Sequence, residues 1–313
     1  MLKQRLMTAA ILVPIVIGSI LYLPYPYFAL LLALFVVQGS WEWTNMAQIK
    51  SMLGRMSFVA LIAALLWGAW LSFRLSSPPW VLYVLIVAVL WWLFAFFLVM
   101  LYPKYTLLRT NTVIKLFAGV LILVPSWIAL IRLHASDEQG PLYVLFLLII
   151  IWVADSGAYF GGRKWGKNKL APNVSPKKTW EGVATGLMGV AILSVIGALM
   201  LGYQDEAWGN VVVFVAICII TVLFSVLGDL TESMFKRQSG IKDSGTLLPG
   251  HGGVLDRIDS VTAAAPIFLI CLWLFLGFKL EASGGDARSV DSPPLQNSFL
   301  QYEYDPAKRS RST

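Results

Sequence analysis

The sequence is poor in the charged residues that soluble proteins carry on their surfaces. Only 13% of its 313 residues are charged, whereas 58% are hydrophobic, and soluble domains carry about 25% charged residues. A soluble core cannot hold so much apolar sequence, so a lipid bilayer must solvate it. The composition therefore excludes an ordinary soluble globular protein and predicts an integral membrane protein.

Histidine and cysteine are equally scarce. His134 and His251 are the two histidines of the chain, which excludes a histidine-rich metal site. Cys218 and Cys271 both lie inside apolar runs, so their positions imply neither a disulfide framework nor a zinc site. The formal net charge of the chain is +7. In a membrane protein such an excess of Lys and Arg is typical of the cytoplasmic loops, and we expect no nucleic-acid partner.

What the chain has in abundance is apolar segments close to the length of about 20 residues that a spanning helix needs. Lipid cannot satisfy backbone polar groups, so each span must be helical. We predict an all-α, polytopic fold with about nine transmembrane helices, over 7–23, 26–41, 57–73, 80–101, 113–131, 142–160, 183–202, 210–229 and 258–278. Pro24 and Pro26 separate the first two short segments, which leaves a re-entrant pair as the alternative. Lys3 and Arg5 before the first segment favour an uncleaved signal anchor.

The basic residues alternate between loops and so predict the orientation. With the N-terminus in the cytoplasm, the lysine-rich and arginine-rich loops 42–56, 102–112, 161–182 and 230–257 all lie on the cytoplasmic side. The first 280 residues form one membrane domain, with a catalytic region at about 150–265. Residues 281–313 are polar and lack an apolar period, which predicts a disordered tail.

Two glycine patterns lie beside the sixth and seventh predicted spans. The pairs Gly157/Gly161 and Gly182/Gly186 predict close helix packing. The run from Gly161 to Lys167 also spells G-x-x-x-x-G-K, but Asn168 stands where a phosphate-binding loop needs Ser or Thr. We therefore interpret these glycines as packing residues.

Four aspartates lie at the predicted cytoplasmic ends of the spans. Asp155 is near the end of the sixth span and Asp229 ends the eighth, while Asp256 and Asp259 open the ninth on one helical face. Carboxylates at a membrane boundary are functional hypotheses by default. Beside many Lys and Arg residues they indicate a divalent metal shared with a phosphorylated ligand, and Mg²⁺ suits such a site. Simple pairing of Asp with basic residues at helix ends is the alternative, and for Asp256 a helix cap.

The two richest basic loops supply groups that bind phosphate. In loop 230–257, glycines alternate with Lys236, Arg237 and Lys242, and turns rich in glycine can expose backbone N–H groups to anions. In loop 161–182, the run Val174–Gly182 has the sequence VSPKKTWEG. The hydroxyl and ammonium groups of this run can bind phosphate. The alternative for loop 161–182 is positive-inside anchoring, and the alternative for loop 230–257 is a plain glycine linker.

These residues resemble the signature of the phosphatidate cytidylyltransferases, also called CDP-diacylglycerol synthases. The pattern S-x-x-K-R-x-x-x-x-K-D-x(5)-P-x-H-G-G-x-x-D-R-x-D is fitted by Ser233, Lys236, Arg237, Lys242, Asp243, Pro249, His251, Gly252, Gly253, Asp256, Arg257 and Asp259. The runs ADSGAY at Ala154–Tyr159, SPKKTWEG at Ser175–Gly182 and GDLTES at Gly228–Ser233 are also similar to that family. The resemblance covers about residues 1–279.

The resemblance implies that CTP and phosphatidate react to CDP-diacylglycerol and pyrophosphate, with Mg²⁺ alone or with a second cation. It implies metal ligation by Asp229, Asp256 and Asp259, with Asp155 in support. It implies a catalytic set of Lys236, Arg237, Lys242, Asp243 and Arg257. Substrate and phosphate contacts are expected from Ser175, Lys177, Lys178, Thr179, Ser233, His251, Gly252 and Gly253. The expected location is the inner (cytoplasmic) membrane of the cell, with the site facing the cytoplasm. Membrane lipid is an expected partner, and a homodimer is an alternative to the single chain.

Two other classes of function compete with this interpretation. An ion-coupled transporter would place its charges near the bilayer midplane, within broken helices of inverted repeats. Here the charges gather at one boundary and no repeat is visible. A structural membrane scaffold would leave the Asp, Lys and Arg pattern unexplained.

Overall fold

The computed structural model describes residues 2–75, 79–104, 111–247, 252–278 and 280, without the side chains of residues 2–9, 74, 75 and 206. Ten helices and one hairpin lie within these ranges. The helices are α1 (Leu2–Tyr22), α2 (Tyr25–Met46), α3 (Met52–Leu75), α4 (Trp80–Leu101), α5 (Thr112–His134), α6 (Gly140–Trp165), α7 (Trp180–Met200), α8 (Tyr203–Glu206), α9 (Trp208–Ser239) and α10 (Leu255–Leu276). The strands are β1 (Lys169–Ala171) and β2 (Ser175–Thr179).

Each predicted span corresponds to a helix, which confirms the all-α membrane architecture. Within the described ranges, seven helices are long and apolar enough to cross a bilayer: α3, α4, α5, α6, α7, α9 and α10. The apolar part of α1, Ala10–Tyr22, is shorter. Pro24 precedes α2 directly, and the missing N–H of Pro26 costs nothing in the first turn of that helix. The division into a domain of residues 1–280 and a tail stays a prediction, because 281–313 lie outside the described residues.

Helices α5 and α10 form the centre of the helical assembly. Within the 18-residue apolar stretch of each helix, 67% of the residues in α5 and 72% of those in α10 are buried inside the protein, against 22% of those in α3. The remaining helices surround this pair, with α9 packed along α10 and α6 packed along α7. An apolar side chain on α3 is thus solvated mainly by lipid, whereas one on α10 is solvated by protein.

Helices α6 and α7 approach one another at the predicted glycine pairs. A Cβ atom added to Gly157 would lie 3.0 Å from the Cα of Gly186, and one added to Gly182 would lie 2.7 Å from the carbonyl oxygen of Ala158. Larger residues would force the helices apart, so the small-residue interpretation is confirmed. This contact fixes α7, and with it the hairpin that ends at Thr179.

The structure corrects the predicted boundary at the end of the eighth span. Residues 230–239 were predicted to begin a loop, but α9 continues without a break to Ser239 and ends at Gly240, whose φ is +72°. Its 32 residues extend about 48 Å at 1.5 Å per residue, which exceeds a hydrocarbon core of about 30 Å. The last turns of α9 therefore project beyond the apolar layer as a rigid support for charged side chains.

Candidate active site

The centre of the site is a lysine on the projecting end of α9. The Nζ atom of Lys236 lies 2.9 Å from Oε2 of Glu232, one turn earlier, and 2.8 Å from Oδ1 of Asp256 on α10. The three side chains are almost enclosed, with exposed fractions of 13%, 4% and 8%. Because buried charges are costly without partners, this ion-paired group fixes the end of α9 against the start of α10.

A third ion pair connects the hairpin to α9. The Nζ atom of Lys178 in β2 lies 2.7 Å from Oδ2 of Asp229, and the hydroxyl of Ser233 donates to Oδ1 of Asp229 over 3.2 Å. Asp155 on α6 interacts electrostatically with both Lys178 and Asp229. The structure therefore brings together predicted site residues from α6, the hairpin and α9.

Close packing of α9 on α10 brings further carboxylates into this group. A Cβ atom added to Gly228 would lie 2.5 Å from the carbonyl oxygen of Asp259, so glycine is needed where the backbones meet. The carboxylate of Asp259 is thereby close enough to interact electrostatically with those of Glu232 and Asp229. The Oε1 atom of Glu232 is buried and has no hydrogen-bond partner among the described residues. Glu232 was not among the predicted site residues, although it stands in GDLTES four residues before Lys236, which is the spacing of a helical ion pair.

The carboxylate of Asp256 also organises the chain that precedes α10. It accepts hydrogen bonds from the backbone N–H groups of Ser244, at 3.0 Å, and Gly253, at 2.8 Å. Gly252 has a φ of +81°, and a Cβ atom there would lie 2.5 Å from Oδ2 of Asp256. A left-handed backbone beside a carboxylate requires glycine, which explains why this position holds no side chain.

The main cap of α10 comes from α2, from a residue that was not among the predicted site residues. Glu42, which is 2% exposed, accepts hydrogen bonds from the N–H groups of Val254 at 3.0 Å and Leu255 at 2.8 Å. It also accepts from the hydroxyl of Ser244 at 3.0 Å. A carboxylate at a helix N-terminus satisfies unpaired N–H groups and the helix dipole. The helix cap, which was the alternative role for Asp256, is thus supplied mainly by Glu42, while Asp256 accepts from N–H groups that precede the helix.

A short polar relay extends this cap to α3. The side-chain amide of Asn45 donates to the carbonyl of Ser244 over 3.0 Å. Arg55 in turn donates to Oδ1 of Asn45 over 2.8 Å and lies 4.0 Å above the ring of Trp41. The segment that leads into α10 is therefore held from two helices that contribute no residue to the signature.

The remaining predicted residues fall into an exposed and a structural group. Five of these residues are exposed around the ion pairs: Lys177, Arg237, Lys242, Asp243 and Arg257. The Nε atom of Arg237 donates to the carbonyl of Val174 over 3.4 Å.

The structural group lies in the hairpin. Ser175 opens β2, opposite Ala171. Thr179 is buried and its hydroxyl accepts from the N–H of Gly182 as the cap of α7, a structural use that the phosphate prediction did not include. His251 and Pro249 lie outside the described residues.

The carboxylates do not form a ready-made metal centre. Among the described residues, no group of three or more His, Cys, Asp or Glu side chains has an arrangement that could hold a metal ion. The ammonium groups of Lys178 and Lys236 bind the oxygens of Asp229 and Asp256 instead. Metal ligation by Asp229, Asp256 and Asp259 therefore stays a prediction.

Comparison with known proteins relates this site to one enzyme family. A sequence profile described as the cytidylyltransferase family matches residues 3–275. The phosphatidate cytidylyltransferase of Pseudomonas aeruginosa is 42% identical over 276 residues, which cover 87% of this chain and 97% of that protein. The protein of the same name from Haemophilus influenzae is 43% identical over 281 residues, covering 86% and 97%. All three ion pairs lie inside the range that the profile matches.

Proposed function

This chain belongs to the cytidylyltransferase family, as its signature residues predicted, and from that premise we propose that it is the enzyme that transfers a cytidylyl group from CTP to phosphatidate. The similarity of the two relatives over almost the whole chain, ion-pair cluster included, carries the proposal. The product is CDP-diacylglycerol, an intermediate of phospholipid synthesis. The apolar helices, which keep the site at a membrane boundary, suit a substrate with a lipid tail and a charged head.

The reaction is an in-line displacement at the α-phosphorus of CTP. An oxygen of the phosphatidate phosphate forms a bond to that phosphorus, the bond to the oxygen bridging the α- and β-phosphorus atoms breaks, and pyrophosphate leaves with that electron pair. Such transfers depend on positioning and on neutralising charge rather than on covalent chemistry by the protein. Lys178 and Arg237 lie beside the carboxylate cluster, and with Lys177, Lys242 and Arg257 they form the basic surface for the phosphates.

The donor set favours Mg²⁺ as the cofactor, alone or with a second cation. Four carboxylates, those of Asp229, Glu232, Asp256 and Asp259, gather around two ammonium groups, and one buried oxygen of Glu232 lacks a partner among the described residues. Hard oxygen ligands in excess of positive charge suit a divalent ion. Asp229, Asp256 and Asp259 would hold it, with Glu232 next to them and Asp155 in support. When bound, such an ion neutralises charge that develops on phosphate oxygens.

Metal ligation by Asp229 requires Lys178 to leave its present partner. Lys178 is 24% exposed and borders the basic surface, so it can turn from Asp229 toward a phosphate. Lys236 is held between two carboxylates and is less accessible. We therefore assign Lys178 to phosphate binding and Lys236 to holding Glu232 and Asp256 in place.

Incorporation of labelled CTP into lipid by the purified protein tests the function. With phosphatidate and Mg²⁺, we expect labelled CDP-diacylglycerol and an equal amount of pyrophosphate, and no incorporation when diacylglycerol replaces phosphatidate. A protein that is folded yet transfers no label from any nucleotide would overturn the proposal. Chelation of divalent ions in the same assay tests the metal separately.

The proposed location is the inner membrane, with the site facing the cytoplasm where CTP is found. Single cysteines test this placement in a protein whose buried Cys218 and Cys271 are replaced by alanine. Lys177→Cys and Lys242→Cys should react with an impermeant thiol reagent from the cytoplasmic face, and Asp205→Cys from the opposite face. Labelling of Lys177→Cys and Asp205→Cys from one side would contradict the orientation. Crosslinking of two copies in native membranes would test the homodimer.

A further inference from the structure

An apolar cavity of about 550 Å³ lies beside the ion-paired site. It is enclosed by α4, α7, α9 and the turn of the hairpin, and its walls are aliphatic and aromatic, with Asn173 at the hairpin end. The reaction described above assigns no role to this space. A cavity with such walls binds hydrocarbon rather than the nucleotide.

The cavity opens sideways, toward the lipid. Leu93 and Phe96 of α4 and Leu223 of α9 contribute to its lining, yet their side chains are 46%, 46% and 44% exposed. All three belong to helices that are apolar and long enough to cross the bilayer. A hydrocarbon chain can therefore enter from the membrane between α4 and α9 without crossing water.

The wall formed by α9 changes from apolar to polar toward the site. Leu223, Val226 and Leu230 line the cavity at spacings of three and four residues, which put them on one face of the helix. Ser233 and Arg237 continue this face. The hydroxyl of Ser233 donates a hydrogen bond to Asp229. Arg237 donates one to the carbonyl of Val174, which also lines the cavity. From Leu230 to Arg237 the helix rises only about 10 Å.

We propose that this cavity holds an acyl chain of the phosphatidate while its phosphate lies between Arg237 and Lys178. The inference rests on the proposed function and identifies where its lipid substrate binds. The arrangement fits an anionic single-phosphate lipid better than bulk lipid, because Arg237, whose Nε donates to the carbonyl of Val174 in the cavity wall, places a positive charge beside the apolar space. It fits a flexible chain better than a helix of a second copy, because the space lies between α4, α7, α9 and the hairpin of one chain.

A matched pair of substitutions on α9 tests the site. Val226→Phe fills the cavity, whereas Val212→Phe makes the same change on the same helix at a lipid-facing residue that is 70% exposed and does not line the cavity. We expect Val226→Phe to raise the KM for dioleoyl phosphatidate about tenfold, as overpacking of an apolar site does. The KM for CTP and the KM for dihexanoyl phosphatidate should change little, and Val212→Phe should behave as wild type. Equal effects on the long and the short lipid would overturn the proposal.

A labelling experiment on the unmodified protein does not depend on whether Val226→Phe folds. Phosphatidate with a photoreactive group midway along one chain should mark peptides of 93–102 and 223–230, and unlabelled phosphatidate should compete. Equal marking of these peptides by photoreactive phosphatidylcholine, or marking spread over all lipid-facing helices, would overturn the site. Failure of the proposed function is a different result, in which the wild-type protein makes no CDP-diacylglycerol from phosphatidate of either length.

Discussion

The two ends of α9 show how one helix serves both the membrane and the chemistry. From Trp208 to Leu227 its side chains are almost all apolar and divide between the protein core and lipid. From Asp229 to Arg237 the same faces carry the carboxylates and cations of the site. Because the helix is continuous, the charged end takes its position from the apolar end. A site built on rigid elements in this way keeps its backbone in place while side chains such as Lys178 turn toward the phosphates.

Loss of a carboxylate from the charged end should have the largest effect on activity. Asp256→Asn keeps the shape of the side chain but removes the charge that binds Lys236 and the proposed metal. We expect turnover to fall by orders of magnitude while the protein stays folded in the membrane. Asp205→Asn, an exposed carboxylate beyond the opposite end of α9, should keep normal turnover. Near-normal turnover of Asp256→Asn at saturating Mg²⁺ would show that the charged end is not the metal site.

Removal of the positive charge of Lys236 should lower the stability of the protein more than the same change at an exposed lysine. Lys236→Met leaves Glu232 and Asp256 buried without their counter-charge, a kind of change that costs about 3–5 kcal/mol. Thermal unfolding in detergent should show a clear drop in Tm, whereas Lys242→Met, at an exposed residue, should unfold like wild type. A Tm of Lys236→Met within error of wild type would mean that the ion-paired group does not hold α9 against α10.

The cap from α2 should matter less, because it acts on the site only through the segment that leads into α10. Glu42→Gln weakens the hydrogen bonds to Val254 and Leu255 but preserves the volume of the side chain. We expect kcat to fall roughly 10–100-fold, the range seen when supporting groups around a metal site are removed, with little change in the KM for CTP. Glu42→Asp should recover part of the loss. An unchanged kcat would show that Glu42 only contributes to packing. So would a fall in kcat that is accompanied by a fall in Tm and is not relieved in Glu42→Asp.

Removal of residues 281–313 should have the smallest effect. The segment is polar, lacks an apolar period and follows the last span. A chain that ends at residue 280 should fold and transfer cytidylyl groups at close to the wild-type rate, as measured with labelled CTP. Lost activity in a folded truncation would show that the tail reaches the site.

The sequence predicted the membrane part of the fold well because hydropathy depends on composition alone. The predicted span 80–101 has the same bounds as α4, and the glycine pairs of α6 and α7 meet as expected. Hydropathy failed at the end of α9, where it falls after Asp229 although the helix continues to Ser239. The helical spacing of Glu232 and Lys236 was the signal that could have extended it.

For the site, the signature named candidate residues, whose roles stay predictions, but it did not predict the contacts between them. The pairing of Lys178 with Asp229 joins residues 51 positions apart in the chain, and Glu42 contacts Leu255 across 213 positions. Glu42 stands between Trp41 and Trp43 in a helix near the start of the chain, so local sequence gives no reason to associate it with α10. Only the packing of α2 against α5 and α10 brings it there.

A double-mutant cycle between Asp229 and Asp256 tests most directly whether the charged end of α9 and the start of α10 act as one metal-dependent centre. Turnover and its dependence on Mg²⁺ would be measured for Asp229→Asn, Asp256→Asn and the double variant. Residues that serve one centre are strongly non-additive, so the double variant should lose little more activity than either single one, and none should respond to Mg²⁺ as wild type does. Losses that multiply, with an unchanged Mg²⁺ dependence, would contradict a shared centre.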